Sequence, residues 1–404
     1  MSFSLMSWEF LGLSLAAVVS MAVLRGVARQ AAFLAVNIIF VWGLVLGTQG
    51  ALSTLAFCLL GYALTRVILW RPRWGFPLSL AVYVALFVYM RNYDFLRWIL
   101  PAGALMQVLA TVGLSFLFFK VVHVMIEARS GTLGHFDLVS YLNYCLNFTT
   151  FIMGPIQRYQ DFRAQASGEE QAIPLRPEAH FDATVRVLQG LVKAYVIAAW
   201  VGQFALAEHA QVLGMPWRML LVQLYAFYFY LYFNFSGYCD VVIGVGSLMG
   251  IRPPENFDKP FLARDIAEFW LRFHRSLTQW LTSYVFAPVY KWALTNEWLG
   301  ARPLLATSAA LLMTMVVSGL WHGTTVSFLL FGLTHGVYFV IFRSWETVLT
   351  RLVGKQGVRR WRSHWAVQGA GAVITFNAVA FSFLFFRVDS VRAMQLVAAV
   401  WGRL

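Results

Sequence analysis

Charge is scarce in this sequence. Only 12% of its 404 residues are Asp, Glu, Lys or Arg, while 60% are hydrophobic, with 35 Phe and 16 Trp. An ordinary soluble globule is excluded by that balance. Acidic residues are the scarcer kind, 18 against 31 Lys and Arg, for a net charge of +13. A nucleic-acid binder would share that sign, but here the basic residues sit mainly between apolar runs, the pattern of cytoplasmic loops. Cysteine is rarer still. Cys58, Cys145 and Cys239 lie far apart, each in an apolar run, without a CxxC pair or clustered His, which excludes a disulfide framework and a zinc site. Neither a Gly-x-Ser-x-Gly elbow nor a Gly-x-x-x-x-Gly-Lys-Ser/Thr phosphate loop occurs, so any driving force must come from an activated donor or a partner protein. No internal repeat is visible, which counts against a secondary transporter.

The apolar runs are too long for barrel strands, and only helices satisfy the backbone in lipid. The expected class is therefore an all-α polytopic membrane protein with about 11 transmembrane or re-entrant helices. Spans are expected at 8–24, 31–46, 51–69, 76–90, 103–126, 184–207, 216–249, 304–320, 326–342 and 365–386. The first has no basic stretch ahead of it and no clear cleavage site, so it reads as a retained span. Arg25 and Arg29 after the first span and Arg66, Arg71 and Arg73 after the third place the N-terminus outside. Arg91 and Arg97 then fall outside too, with Asp94 between them. Residues 136–153 are apolar but interrupted by Asn143, Asn147, Thr149 and Thr150, and they end in Gly154-Pro155, which suggests a short buried or re-entrant piece. The longest polar loop is expected at 157–182. Arg343, Arg351, Lys355, Arg359, Arg360 and Arg362 against the single acid Glu346 mark a cytoplasmic loop.

Residues 265–286 read as one amphipathic helix. Ile266, Phe269, Trp270, Phe273, Leu277, Trp280, Leu281 and Tyr284 share a face opposite Glu268, Arg272, Arg275 and Gln279. Asp265 followed by Glu268 is a capping-box start, and the helix is expected at the inner interface. His274 interrupts its apolar face. His322 stands between Trp321 and Gly323 at the end of an apolar run and is expected in the outer half. Ionisable groups at membrane depth are costly, so both are functional candidates. An imidazole can take a proton from a hydroxyl at neutral pH, and in acyl transfer the partner is a thioester or ester carbonyl. The plainer alternatives are a His322 bonded to a carbonyl at a helix break and a His274 at the edge of an interfacial helix. His335, between Thr334 and Gly336, reads as packing, and His123 as a local pair with Glu127. His135, His180, His209 and His364 carry no pattern. Asn234, Ser236, Gly237 and Asp240 inside an aromatic run suggest close helix packing or a cavity wall, with Asp240 either supporting a site or bonding across helices.

Four stretches in order resemble the membrane-bound O-acyltransferase (MBOAT) family, in the bacterial branch of alginate O-acetylation and teichoic-acid D-alanylation proteins. They are Gly-Pro-Ile-Gln-Arg-Tyr at 154–159, Asn-Phe-Ser-Gly-Tyr-Cys-Asp at 234–240, Pro-Glu-Asn-Phe at 254–257 continuing to Glu-Phe-Trp-Leu-Arg-Phe-His at 268–274, and Leu-Trp-His-Gly at 320–323. The resemblance implies a helical core with a tunnel, the Trp-His-Gly histidine, His322, as catalytic centre and His274 as the family's second histidine. Trp321, Trp270, Asn234, Ser236, Asp240 and Arg158 then bind substrate or support the site. The implied organisation is N-terminal helices at 1–100, a catalytic core at 101–390 and a tail at 391–404. No metal and no bound cofactor is implied; the donor is an acetyl thioester or an aminoacyl carrier protein. Expected partners are that donor or carrier, an extracytoplasmic acyltransferase, a polymer acceptor and membrane lipids, at the inner (cytoplasmic) membrane. Relatives commonly carry Arg-Asp where this chain has Thr282-Ser283, and the acetylating branch often reads Gly-Gly-Asn-Arg where this chain has Tyr290-Lys291-Trp292-Ala293, which leaves the donor open.

The leading expectation is thus an O-acyltransferase acting on hydroxyls of an extracytoplasmic polysaccharide or envelope polymer. The alternatives are a transporter or channel for a small solute, and an acyltransferase acting on a lipid or protein.

Overall fold

The computed structural model describes residues 4–93, 95, 96, 99, 113–168, 177–206, 215–393 and 395. The expected segments 103–112 and 169–176 lie outside them, as do most of the tail 391–404, Asp94, Arg97 and His209. Helices dominate, there is no strand among the described residues, and one isolated bridge joins Phe257 to Phe273. Among the described residues, six helical runs are long and apolar enough to cross a membrane: Gly26–Trp70, Pro72–Arg91, Pro177–Gly202, Pro303–His322, Val326–Ser363 and Trp365–Arg387. The protein is an all-α, polytopic membrane protein.

The chain forms two compact units, one from Met1–Val196 with Phe233–Glu255, the other from Ile197–Tyr232 with Asn256–Leu404. In the first unit, the run Gly26–Trp70 bends at Gly47, whose φ of 64° suits a residue without a Cβ, so it divides where two spans are expected. The interrupted stretch after Phe136 forms the short helix Leu138–Leu146 and then leaves helical geometry at Asn147. Its backbone is satisfied by side chains. Asn37 Nδ2 donates to Asn143 Oδ1 at 3.1 Å, and Phe148 N donates to Asn37 Oδ1 at 2.9 Å. Lys120, buried, donates through Nζ to the carbonyls of Tyr144 and Cys145 and to Thr150 Oγ1, at 3.0, 3.3 and 2.9 Å. One turn on, His123 Nε2 accepts the N–H of Tyr159, the first residue of the helix Tyr159–Ser167, at 3.0 Å. Two neighbouring side chains of one helix thereby close the open ends of two short helices. Phe148 anchors the segment, its ring 6.1, 6.4 and 5.8 Å from those of Phe10, Phe33 and Phe40.

Three expectations are corrected. The polar loop at 157–182 is interrupted by the helix Tyr159–Ser167, and the next helix begins at Pro177, ahead of the expected 184. The basic stretch after Phe342 is helical: Val326–Ser363 runs through it with one kink at Gly354, φ 70°, after which Arg362 pairs with Glu346 at 2.6 Å. The amphipathic helix expected over 265–286 is broken at Phe273 and His274 into Ile266–Arg272 and Arg275–Leu281, followed by a π-helical turn Thr282–Phe286. Its apolar period runs across the break, so the periodicity carries no sign of it. What imposes it comes from outside the pattern. Phe273 bridges to Phe257, and Asn256 takes over the start of the second helix.

Candidate active site

Asp265 begins the first short helix as expected, its Oδ1 accepting the N–H of Glu268 at 2.8 Å. Glu268 reaches back one residue further than a capping box, accepting from the N–H of Arg264 at 2.9 Å, and it pairs with Arg264 and Arg272, both at 2.8 Å. Partial burial works to raise this carboxyl, but the hydrogen bonds from the Arg264 side chain and backbone and from the Arg272 side chain, with the charge of Arg264, outweigh it and hold its pKa at about 2.

His274 occupies the break with φ 49°, in the left-handed region, as the N-cap residue of Arg275–Leu281. Its side chain makes no cap bond. Asn256 supplies the cap instead, with Oδ1 accepting from Ser276 N and Oγ at 3.1 and 2.8 Å and its carbonyl from Arg275 N at 2.9 Å. The imidazole, 2% exposed, lies edge to face with Trp321, ring centroids 5.8 Å apart.

His322 ends the helix Pro303–His322, and Gly323 follows in extended geometry. A Cβ at Gly323 would stand 2.0 Å from the Phe328 ring, so the position requires glycine for room. Two further glycines let this helix approach the next. A Cβ on Gly319 would meet the Phe328 carbonyl at 2.3 Å, and one on Gly332 the Met315 carbonyl at 2.4 Å. The half-buried His322 ring is then boxed by Trp321, Phe386 and Phe331, at 4.7, 5.2 and 5.6 Å. The sequence suggests one histidine near each membrane face, yet both imidazoles flank the single indole of Trp321. Side-chain reach toward a shared neighbour is invisible in loop charges.

Behind Phe331 lies His335, whose ring is 4.7 Å from it. Trp270 Nε1 donates to His335 Nδ1 at 3.3 Å, so the ring proton sits on Nε2 and is donated to Ser382 Oγ at 2.9 Å. That hydroxyl donates in turn to the Val379 carbonyl at 2.6 Å. His335, read from sequence as packing, is the joint between three helices, and Trp270 is its partner.

The other predicted site residues belong to the first unit. Asp240 bonds across helices: Oδ1 accepts from Arg186 Nε and Nη2, both at 3.0 Å, and Oδ2 from Lys193 Nζ at 2.6 Å, while Arg186 also pairs with Glu255. Gly237 packs against the helix carrying Arg186, where a Cβ would stand 2.7 Å from Ala194 N and from the Gly190 carbonyl. Ser236 is buried and Asn234 half-buried on the same helix. Arg158 is exposed at the N-cap of Tyr159–Ser167 and makes no cap bond. Among the described residues, no group of three or more His, Cys, Asp or Glu is arranged to hold a metal.

A model of the membrane-bound O-acyltransferase family matches residues 38–386. The chain is 33% identical over 291 residues to a teichoic acid D-alanyltransferase of Streptococcus thermophilus, covering 68% of each protein. To the protein of that name in Bacillus subtilis it is 31% identical over 293 residues, covering 69% of each. A probable alginate O-acetylase AlgI of Pseudomonas aeruginosa is 30% identical over 295 residues, 71% of this chain and 51% of the relative. The boxed Trp-His-Gly histidine therefore sits in a chain that belongs to the membrane-bound O-acyltransferase family and is a multi-pass membrane acyltransferase.

Proposed function

We propose that this acyltransferase passes an acetyl or D-alanyl group from a cytoplasmic activated donor to hydroxyls of an extracytoplasmic polysaccharide or cell-envelope polymer. The observation that carries the reading is the convergence of His322 and His274 on Trp321 at the close-packed end of Pro303–His322. The donor is a thioester, borne on a small carrier or on an aminoacyl carrier protein, and no resident cofactor is needed. In the transfer, an imidazole nitrogen of His322 takes the proton of the acceptor hydroxyl. The oxygen attacks the thioester carbonyl carbon, the C–S bond breaks, and the leaving thiolate receives the proton that His322 holds. His274, held at the break by the Asn256 cap, positions the donor, and Trp321 keeps the two rings in register. Trp270 supports the site through His335. The names of the relatives cover both acyl groups, D-alanyl and acetyl, and the reading keeps both donors. An extracytoplasmic acyltransferase that completes delivery to the polymer, and an inner-membrane location, belong to the same reading.

Inverted membranes holding the wild-type chain or His322→Ala, supplied with labelled acetyl thioester or labelled aminoacyl carrier protein, test it. Label should pass to an acceptor hydroxyl from one donor and only with the wild type. Movement of an unmodified solute without any covalent product would instead make the chain a transporter.

A further inference from the structure

A groove of about 860 Å³ opens between the second half of Val326–Ser363 and the start of Trp365–Arg387, and neither His322 nor His274 lines it. Its walls are apolar: Ile341 and Phe342 face it from one helix and Ala370, Ile374 and Ala378 from the other, with Ile341 60% and Ile374 68% exposed. One end is basic, lined by Arg264, Arg359 and Arg362.

The kink at Gly354 builds that end. It folds the chain back so that Trp361 comes within 6.2 Å of Trp345 and Arg362 lies over the Phe342 ring at 5.5 Å. Paired tryptophans beside arginines mark the membrane–water boundary, so the apolar wall runs into the bilayer from a cationic rim. The three rim arginines differ in what they face. Arg264 is neutralised by Glu268, and Arg362 by Asp265 and Glu346. Arg359 forms no ion pair among the described residues, and its neighbours Lys355 and Arg360 add to its charge. Over residues 343–363 six basic side chains face one acid. An open apolar trough with Arg359 uncompensated at the water boundary complements a molecule with an acyl chain and a phosphate of net negative charge.

We propose that this groove is a specific site for one anionic glycerophospholipid, its acyl chain along Ile341 and Ile374 and its phosphate against Arg359. A zwitterionic lipid fills the same trough but brings no net charge to the rim.

The full-length protein, delipidated in neutral detergent, is titrated with phosphatidylglycerol or with phosphatidylcholine of the same chains, and bound lipid is counted by native mass spectrometry. The wild type should prefer phosphatidylglycerol by roughly fivefold or more, the effect of one basic side chain near the headgroup. Arg359→Gln should remove the preference, and Ala370→Phe, which fills the trough, should weaken both lipids, with melting temperatures unchanged. If Ala370→Phe does not fold, Ile374→Ser tests the same wall. Equal binding of the two lipids by the wild type would overturn the proposal, as would a preference that survives Arg359→Gln. Arg359-dependent capture of an acidic carrier protein without lipid preference would overturn it in favour of a protein-docking rim.

Discussion

The Oδ1 of Asn256 accepts both the amide and the hydroxyl of Ser276, and so caps a helix that His274 begins without using its own side chain. This division of labour leaves the imidazole to face Trp321. Asn256→Ala should cost about 1–2 kcal/mol, the usual loss for a helix cap, and should lower transfer activity by displacing His274. Asn256→Asp keeps an acceptor and should retain most of both. Thermal unfolding in detergent alongside acyl transfer separates the variants.

Close approach of the His322 helix to its successor is a second point of control. Gly319→Ala places a Cβ against the Phe328 carbonyl and should destabilise by about 1–3 kcal/mol through overpacking, with loss of activity as His322 shifts. Gly12, whose added Cβ meets nothing within 4 Å, is the control. Gly12→Ala should leave the melting temperature unchanged or slightly raised.

Replacing His335 by Leu leaves the Trp270 N–H without its acceptor, while the Ser382 hydroxyl keeps the Val379 carbonyl, and should cost about 1–3 kcal/mol. Ser382→Ala should cost less, since His335 keeps Trp270. A melting series over the two variants and the wild type checks this order.

Asp240 joins Arg186 and Lys193, which stand two turns apart on one neighbouring helical run, and its removal takes away the partner of Lys193 and leaves Arg186 to Glu255. Asp240→Ala should lower stability by about 1–3 kcal/mol. A double-mutant cycle with Arg186→Ala should show coupling above about 0.5 kcal/mol, as contacting residues do. Additive losses would place the role of Asp240 elsewhere.

Glu268 predicts a pH dependence. Its folded pKa of about 2 lies below the ordinary value of 4.5, so its contribution is complete above pH 4.5 and is lost as pH falls toward 2. Glu268→Gln should therefore unfold more easily at neutral pH and show a shallower loss of stability between pH 4.5 and 2. Parallel slopes for wild type and variant would contradict the ion-pair account.

Much of the fold was legible because lipid leaves few choices. Long apolar runs specify helices, and Trp365–Arg387 follows the expected 365–386 almost residue for residue. His322 was legible for the same reason, as an ionisable ring in glycine-flanked apolar sequence. The break at His274 was not, because Ile266 to Tyr284 keep one helical period and the group that stops the helix, Asn256, comes earlier in the chain and acts through space. Lys120 escaped notice as a single cation in an apolar run. Its acceptors lie about a helix and a half downstream, at carbonyls that are open only because Leu138–Leu146 ends there. The helical course of residues 343–363 was masked by charge, which identifies a water-facing segment but not its conformation.

The most direct test of the central claim is the single-turnover rate of acyl transfer from preloaded donor, compared at equal amounts of folded wild type and His322→Gln. If His322 carries the proton, the rate should fall by roughly 100-fold or more, the contribution of a positioned general base, while the melting temperature stays close to that of the wild type. A His322→Gln protein that transfers acyl groups at the wild-type rate would contradict the account.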